Sequence, residues 1–314
     1  MNNVIWFATI VIAMTTFASN ATEYESTTNN NNNGVLLEQN SEKKRPPKPL
    51  VKPLFRYSYD LSWAYDDNVR RAQNEVDIRD DSLLNLTINA KAGKSLSRYS
   101  RLNYGGRISV EKFSTFEELN NLNFDINVKY RFAYASGFTS PLYSIGFKAG
   151  GISSDKVARD STVYSINSGV NKWLTNTINM SVGLVHKQRE SRSRVFDTKE
   201  NLIFGNLDIN FSKSALIYTT YSYIAGDIVS SATPSLAIIN AAEAIQPDDA
   251  FGGMTTNQFA YRLDSDTQVV TLGYNQAISA ATSLDVSYRY VKTESEGSIE
   301  YDRSIFRISL LGRF

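Results

Sequence analysis

The chain has 314 residues, with 33 Lys and Arg against 32 Asp and Glu, a single His and no Cys. A net charge of +1 excludes a nucleic-acid partner recruited by bulk charge, and the absence of Cys excludes disulfides, zinc–thiolate sites and thiol catalysis. Mean hydropathy is −0.30, a soluble-looking balance that a transmembrane barrel also shows, because only one face of each strand meets lipid.

Residues 1–21 read as a cleaved signal peptide. Val4 to Phe17 is an unbroken run of apolar and small residues, too short for the ~20 residues of a spanning helix. Ser19-Asn20-Ala21 supplies small residues at cleavage spacing. Residues 22–53 read as a periplasmic linker. The Asn29 to Asn33 run has no apolar face to bury, and Lys43 to Pro53 alternates basic residues with prolines, which favours an extended arm. That arm is either a basic contact for an envelope partner or a passive spacer.

From residue 54 the period becomes two. Phe55, Tyr57, Tyr59, Leu61, Trp63 and Tyr65 alternate with Arg56, Ser58, Asp60, Ser62, Ala64 and Asp66, so an extended strand presents one aromatic face and one charged face. The alternation returns in Leu84, Leu86 and Ile88, in Tyr104, Ile108 and Val110, and from Leu122 to Tyr134. Weaker versions follow near 143–151, 162–173, 178–187, 202–211, 215–225 and 268–276. Within 202–211 the register stays open, because Leu202 and Phe204 compete with Ile203, Leu207 and Ile209. The signal sharpens again at Leu284 to Tyr290 and at Phe306 to Phe314. There are about twelve such segments, each near the ~9–11 residues that cross a bilayer as a tilted strand.

Connections alternate between short (95–100, 136–141, 174–177, 212–214, 279–283) and long or charged (67–81, 113–120, 153–161, 188–200, 227–266, 293–300). This is the pattern of an all-β, antiparallel up-and-down transmembrane barrel over residues 54–314, with short turns on the periplasmic side and both termini there. Lipid tolerates no open sheet edge, so such a sheet must close. Tyr57, Tyr59, Trp63, Tyr134, Phe138, Trp173, Tyr288 and Tyr290 fall near strand ends, as an aromatic girdle requires.

The last segment, with Phe306, Ile308, Leu310, Gly312 and Phe314 on one face and a terminal Phe, resembles the final strand of Gram-negative outer-membrane β-barrel proteins. That resemblance implies location in the cell outer membrane and two biogenesis and residence partners, the barrel-assembly machinery and outer-membrane lipid. Gly312 departs from the pattern, which has a larger apolar residue there. The Tyr65-Asp66-Asp67-Asn68-Val69 step is similar to that of some polysaccharide-secretion-associated barrels.

Nothing in the chain spells out a nucleotide loop, a metal-ligand spacing or a cofactor motif, so no cofactor and no metal is expected. The one imidazole, His186, shares the face of Met180, Val182 and Leu184. It reads as an interfacial residue rather than the general base of a lipid or peptide hydrolase, although Ser191 and Ser193 are near in sequence. The inward set says more. Arg56, Lys91, Arg101, Arg107, Lys129, Arg131, Lys148, Arg289, Arg307 and Arg313 outnumber Asp60, Glu111, Asp125, Asp208 and Asp285. If these line a wet lumen, the excess positive charge favours small anionic solutes. If they pair among themselves, the barrel is a closed scaffold that works through its loops and its periplasmic arm. The long segment 227–266 is the expected specificity element. Ser235 to Ile245 has helical composition ending at Pro247, and the segment either folds inward as a constriction or projects outward. Asp248, Asp249, Asp264 and Asp266 read as solvated loop acids, with a divalent-cation site as the alternative.

Overall fold

The computed structural model describes residues 55–135, 137–251 and 257–314; the expected signal peptide and linker lie outside these. Thirteen strands pair in one antiparallel sheet: β1 (Arg56–Asp66), β2 (Asp81–Ser95), β3 (Ser100–Phe113), β4 (Asn121–Ala133), β5 (Leu142–Ser154), β6 (Ser161–Trp173), β7 (Ile178–Ser191), β8 (Thr198–Asn210), β9 (Ala215–Ala232), β10 (Ala244–Pro247), β11 (Phe259–Ala277), β12 (Thr282–Ser295) and β13 (Ile299–Arg313), with a short helix α1 (Leu236–Ala241) before β10. Apart from β9 and β10, sequence neighbours are sheet neighbours; β9 pairs directly with β11, and β13 returns to β1. The short β10 lies on the end of β11 beyond the point where β12 stops. Setting it aside, the other twelve strands close into a barrel, so no strand is left with an unpaired edge in the spanning zone.

Residues directly opposite in a ladder share a face, so one alternation can be followed around the whole sheet. The outer face carries Leu84, Ile108, Ile126, Leu184 and Leu272, with Ile126 68% exposed, whereas Ser62 on the inner face is 3% exposed. The open register of β8 resolves by this pairing. Asp208 faces Asn179 and Leu202 faces Val185, so Leu202 and Phe204 point inward and Ile203, Leu207 and Ile209 outward.

The short connections are tight turns fastened by hydroxyls. Leu96 N–H donates to the Ser100 carbonyl, Leu174 N–H to Ile178 and Ile278 N–H to Thr282, while Ser97, Thr175, Ser212 and Ser279 accept from backbone N–H groups two or three residues on. At the opposite end, aspartates hold the longer connections. Asp81 accepts from Thr115 and Phe116 N–H, Asp160 from Ser154, Asp197 from Ser191 and Asp227 from Lys199.

Three expectations are corrected. The connections 188–200, 227–266 and 293–300 are shorter than their sequence suggested, because β7, β9, β11, β12 and β13 run on into them. Outward positions there are Glu190, Lys199, Glu294 and Asp302, which stand beyond the apolar band, so the hydrophobic alternation stops while the hydrogen-bond ladder continues. The helical stretch is only Leu236–Ala241, and Ala244–Pro247 is strand. Trp173 does not join the outer girdle: it stands opposite Asn179 on the inner face and stacks on Phe138 at 5.4 Å.

In the outer girdle the expected Tyr134 and Tyr288 are joined by further aromatics. Tyr130, Phe132, Tyr134 and Tyr143 pack ring to ring near the short turns. Toward the other end Tyr65 donates to Asp80, Tyr223 to Asp266 and Tyr288 to Ser304. Rings in the apolar zone with hydroxyls turned to polar partners are what a headgroup layer favours. The residues of the terminal signature also face outward, and the Phe314 ring stacks on Tyr57 at 5.9 Å, with Tyr59 6.4 Å away.

Candidate functional site

The ladder registers place every inward candidate of the sequence on the inner face. Arg56 stands opposite Lys91, Arg101 opposite Arg131, Arg107 opposite Asp125, Asn103 opposite Lys129 and Asn127 opposite Lys148. Glu111 faces Asn85, Asp208 faces Asn179, Asp285 faces Asn275, Arg289 faces Thr271, Arg307 faces Ser287, and Arg313 and Asp60 follow from the β1–β13 pairing.

These residues separate into two zones. Mid-barrel, opposite charges meet. Arg107 and Lys148 both reach Asp125, at 2.8 and 3.2 Å, and Arg307 reaches Asp60 at 2.7 Å. Glu111 is 4% exposed and accepts from the Asn85 and Asn121 amides. Asp285 accepts from the Tyr218 hydroxyl at 3.0 Å. Near the short turns the inner wall of β13 and β1–β4 carries Arg313, Arg56, Lys91, Arg101, Lys129 and Arg131 with no acid interleaved at that level; Asp60 and Asp125 lie further in. Arg56, Arg101 and Arg313 are exposed to solvent.

Sequence reasoning missed further inward ions: Lys187 pairs with Glu200 at 3.0 Å, and Arg303 pairs with Asp66. Arg303 and Glu200 belong to the strand extensions where the outer face has turned polar, and Lys187 stands at the last position of its expected segment, so the contrast between faces that marks a strand had faded. The Val185, Lys187, Arg189 spacing was the available signal.

At the long-loop end the chain folds back over the inner wall. Beyond Gly226 the β9–β11 hairpin leaves the wall. Gly226 has φ +137°, and a Cβ there would overlap the Lys199 carbonyl, so only Gly permits this bend. Past it Val229, Ser230, Ser231 and Ala232 are consecutively buried, as are Ala260 and Tyr261. Consecutive burial means both faces of the hairpin are covered. One apolar cluster joins Tyr261, Leu263 and Ala232 to Ala72, Ile238 and Ile299, and another joins Val229 and Ala260 to Val195 and Phe196. After β10 the residues 248–251 form a strap that lies over the inner wall. Ala250 and Phe251 share a cluster with the inward Ala64, Leu83, Phe113 and Ile305 of β1, β2, β3 and β13, and the Arg70 guanidinium donates to the Phe251 carbonyl at 2.7 Å and lies 5.0 Å from its ring.

The four expected loop acids are corrected: Asp248 and Asp249 are ion-paired in the strap, and Asp264 and Asp266 are strand residues of β11. Asp248 is buried against Arg159 at 2.6 Å and accepts from the Ser231 hydroxyl and the Ala250 N–H. Burial by itself raises a carboxyl pKa, but the Arg159 charge and these hydrogen bonds outweigh it and hold Asp248 below the usual carboxylate range. Burial lowers the Arg70 guanidinium from its ordinary value. Asp249 pairs with Lys156 at 2.8 Å, Asp266 accepts from Tyr223, and Asp264 accepts from the Ser265 N–H.

His186 faces outward, with Nδ1 2.9 Å from the Asn201 amide oxygen. The Ser191 hydroxyl donates to the Phe196 carbonyl and the Ser193 hydroxyl to Gln246, so among the described residues the structure does not bring these serines to the imidazole.

No family model and no curated protein matches the chain. Among solved structures it is similar to an outer-membrane channel from Pseudomonas putida F1, with a TM-score of 0.50 at 7% identity over 87% of this chain and 100% of that one. Lower TM-scores are found with the NanC porin, 0.42 at 7% identity over 82% and 100%, and with the KdgM porin, 0.39 at 10% identity over 82% and 99%. At such identities the likeness is one of fold, and it agrees with the closed sheet, the apolar outer band and the polar interior: the chain is an antiparallel transmembrane β-barrel of the outer-membrane type.

Proposed function

We propose that this barrel is a narrow channel for small anionic solutes, with its short turns and termini on the periplasmic side. One observation carries the reading: Arg101 stands directly opposite Arg131, within an inner wall that also holds Arg56, Lys91, Lys129 and Arg313. Like charges directly opposite in a ladder destabilise it, so the Arg101–Arg131 pair is favourable where water and anions occupy the space in front of it. Cationic side chains lining a pore select anions. The strap at the other mouth narrows the path.

The test is single-channel conductance of the refolded protein in a planar bilayer under a salt gradient. Steady conductance with anion preference, reduced in an R101A/R131A variant, is the expected outcome. Unchanged ion preference in that variant would remove this wall from the selectivity. A second reading, a non-conducting barrel that acts through its loops and basic arm, draws on the buried closure of the long-loop mouth, and a folded but silent protein would favour it.

A further inference from the structure

Among the described residues, Arg107, Lys148, Lys187, Arg303 and Arg307 each have a carboxylate within 4.0 Å. Arg289, on the same inner face and partly buried, has none; its hydrogen bond is a 3.4 Å contact from Nε to the Thr271 hydroxyl. Its position explains the imbalance. Arg289 stands opposite Ile305, midway between Arg303 and Arg307 on β13. Those two arginines are matched by Asp66 and Asp60 on β1. Three adjacent strands therefore bring three guanidiniums to one patch of wall, and the third carboxylate there, Asp285 on β12, is taken up by the Tyr218 hydroxyl and the Asn275 amide, which leaves Arg289 without a carboxylate in reach among the described residues. On β1, between the two aspartates, the chain has Ser62 and Ala64 rather than a third acid.

A guanidinium presents a planar fork of donors matched to carboxylate and phosphate oxygens. In an enclosed lumen an uncompensated charge is costly, so such a fork gains most from an anion that arrives from solution. The hydroxyls of Thr271 and Ser287 lie on the same face beside it. We propose that Arg289 is an anion-binding subsite of the lumen, taking the carboxylate or phosphate group of a solute beside the Arg303–Asp66 and Arg307–Asp60 pairs. This deepens the channel reading and needs the lumen to be open to solute from the short-turn end.

The experiment follows thermal unfolding of the detergent-refolded chain against inorganic phosphate or acetate at constant ionic strength, for the wild type, R289Q and R289K. The wild-type midpoint should rise by roughly 3–6 °C with phosphate at about tenfold its Kd. In chloride buffer free of phosphate and acetate R289Q should melt at or above the wild type, because an unmatched charge is gone, and it should no longer respond to phosphate. R289K should keep part of the response. A response to phosphate but not acetate assigns the subsite to phosphate groups, and the reverse assigns it to carboxylates. A wild type indifferent to both anions, an R289Q that responds like the wild type, or an R289Q that melts lower in chloride would each overturn the proposal. The channel reading stands or falls apart from this: a barrel silent in bilayers whose anion response is lost in R289Q keeps the subsite without the channel, and a conducting barrel with no anion response keeps the channel without the subsite.

Discussion

The Arg159 guanidinium donates to the Asp248 carboxylate at 2.6 Å across 89 positions of sequence, with the two side chains 3% and 4% exposed. This pair fastens the strap that follows β10 to the β5–β6 connection. Removing one partner of such a pair leaves a bare buried charge, at a cost of about 3–5 kcal/mol. R159A and D248A should each speed amide exchange across residues 236–251 while the barrel ladders stay protected, and the double variant should be milder than the sum of the two. Strictly additive effects would mean that the two residues act separately.

Acid should loosen the same latch. Asp248 has a depressed folded value, so its contribution is complete above the ordinary Asp value of about 3.9 and is lost as pH falls through the lower folded value. Exchange over the strap should accelerate below roughly pH 4, and D248N should abolish that step. A D248N profile identical to the wild type would place the acid sensitivity elsewhere.

Phe251 supplies the apolar half of the closure. Its ring meets Phe116 edge-on at 5.1 Å and sits in the cluster with Ala64, Leu83, Phe113 and Ile305. F251A should cost up to about 3–5 kcal/mol of docking, read as protease cleavage within the strap of a barrel that still resists unfolding in detergent. Unchanged cleavage would show that the polar contacts alone hold the strap.

Tyr59 and Gly312 are cross-strand partners at the seam where the barrel closes, and the Tyr59 ring covers the space a Cβ at 312 would fill. An aromatic ring laid over a cross-strand glycine is a known way of pinning register. G312L should reduce the yield of folded barrel, and Y59A should restore it by making room. Failure of Y59A to rescue would show that the loss comes from recognition of the terminal strand rather than from packing at the seam.

The sequence by itself determined the kind of object. Alternation such as Phe55 to Asp66 and the terminal Phe306 to Phe314 face specify strands with one lipid side, and lipid leaves such strands no stable arrangement but closure. It also placed every named inward charge on the correct face, because a period of two admits only two choices. It did not reveal Lys187, Glu200 or Arg303, whose strands pass the lipid band and lose the apolar marker there. Nor could it show that Asp248 and Asp249 are ion-paired to Arg159 and Lys156. Only the tertiary structure decided which charges have partners, that Arg289 has no carboxylate in reach among the described residues, and that residues 248–251 turn inward. Those properties depend on contacts between residues tens to hundreds of positions apart, whereas the pattern of a strand is set by its immediate neighbours.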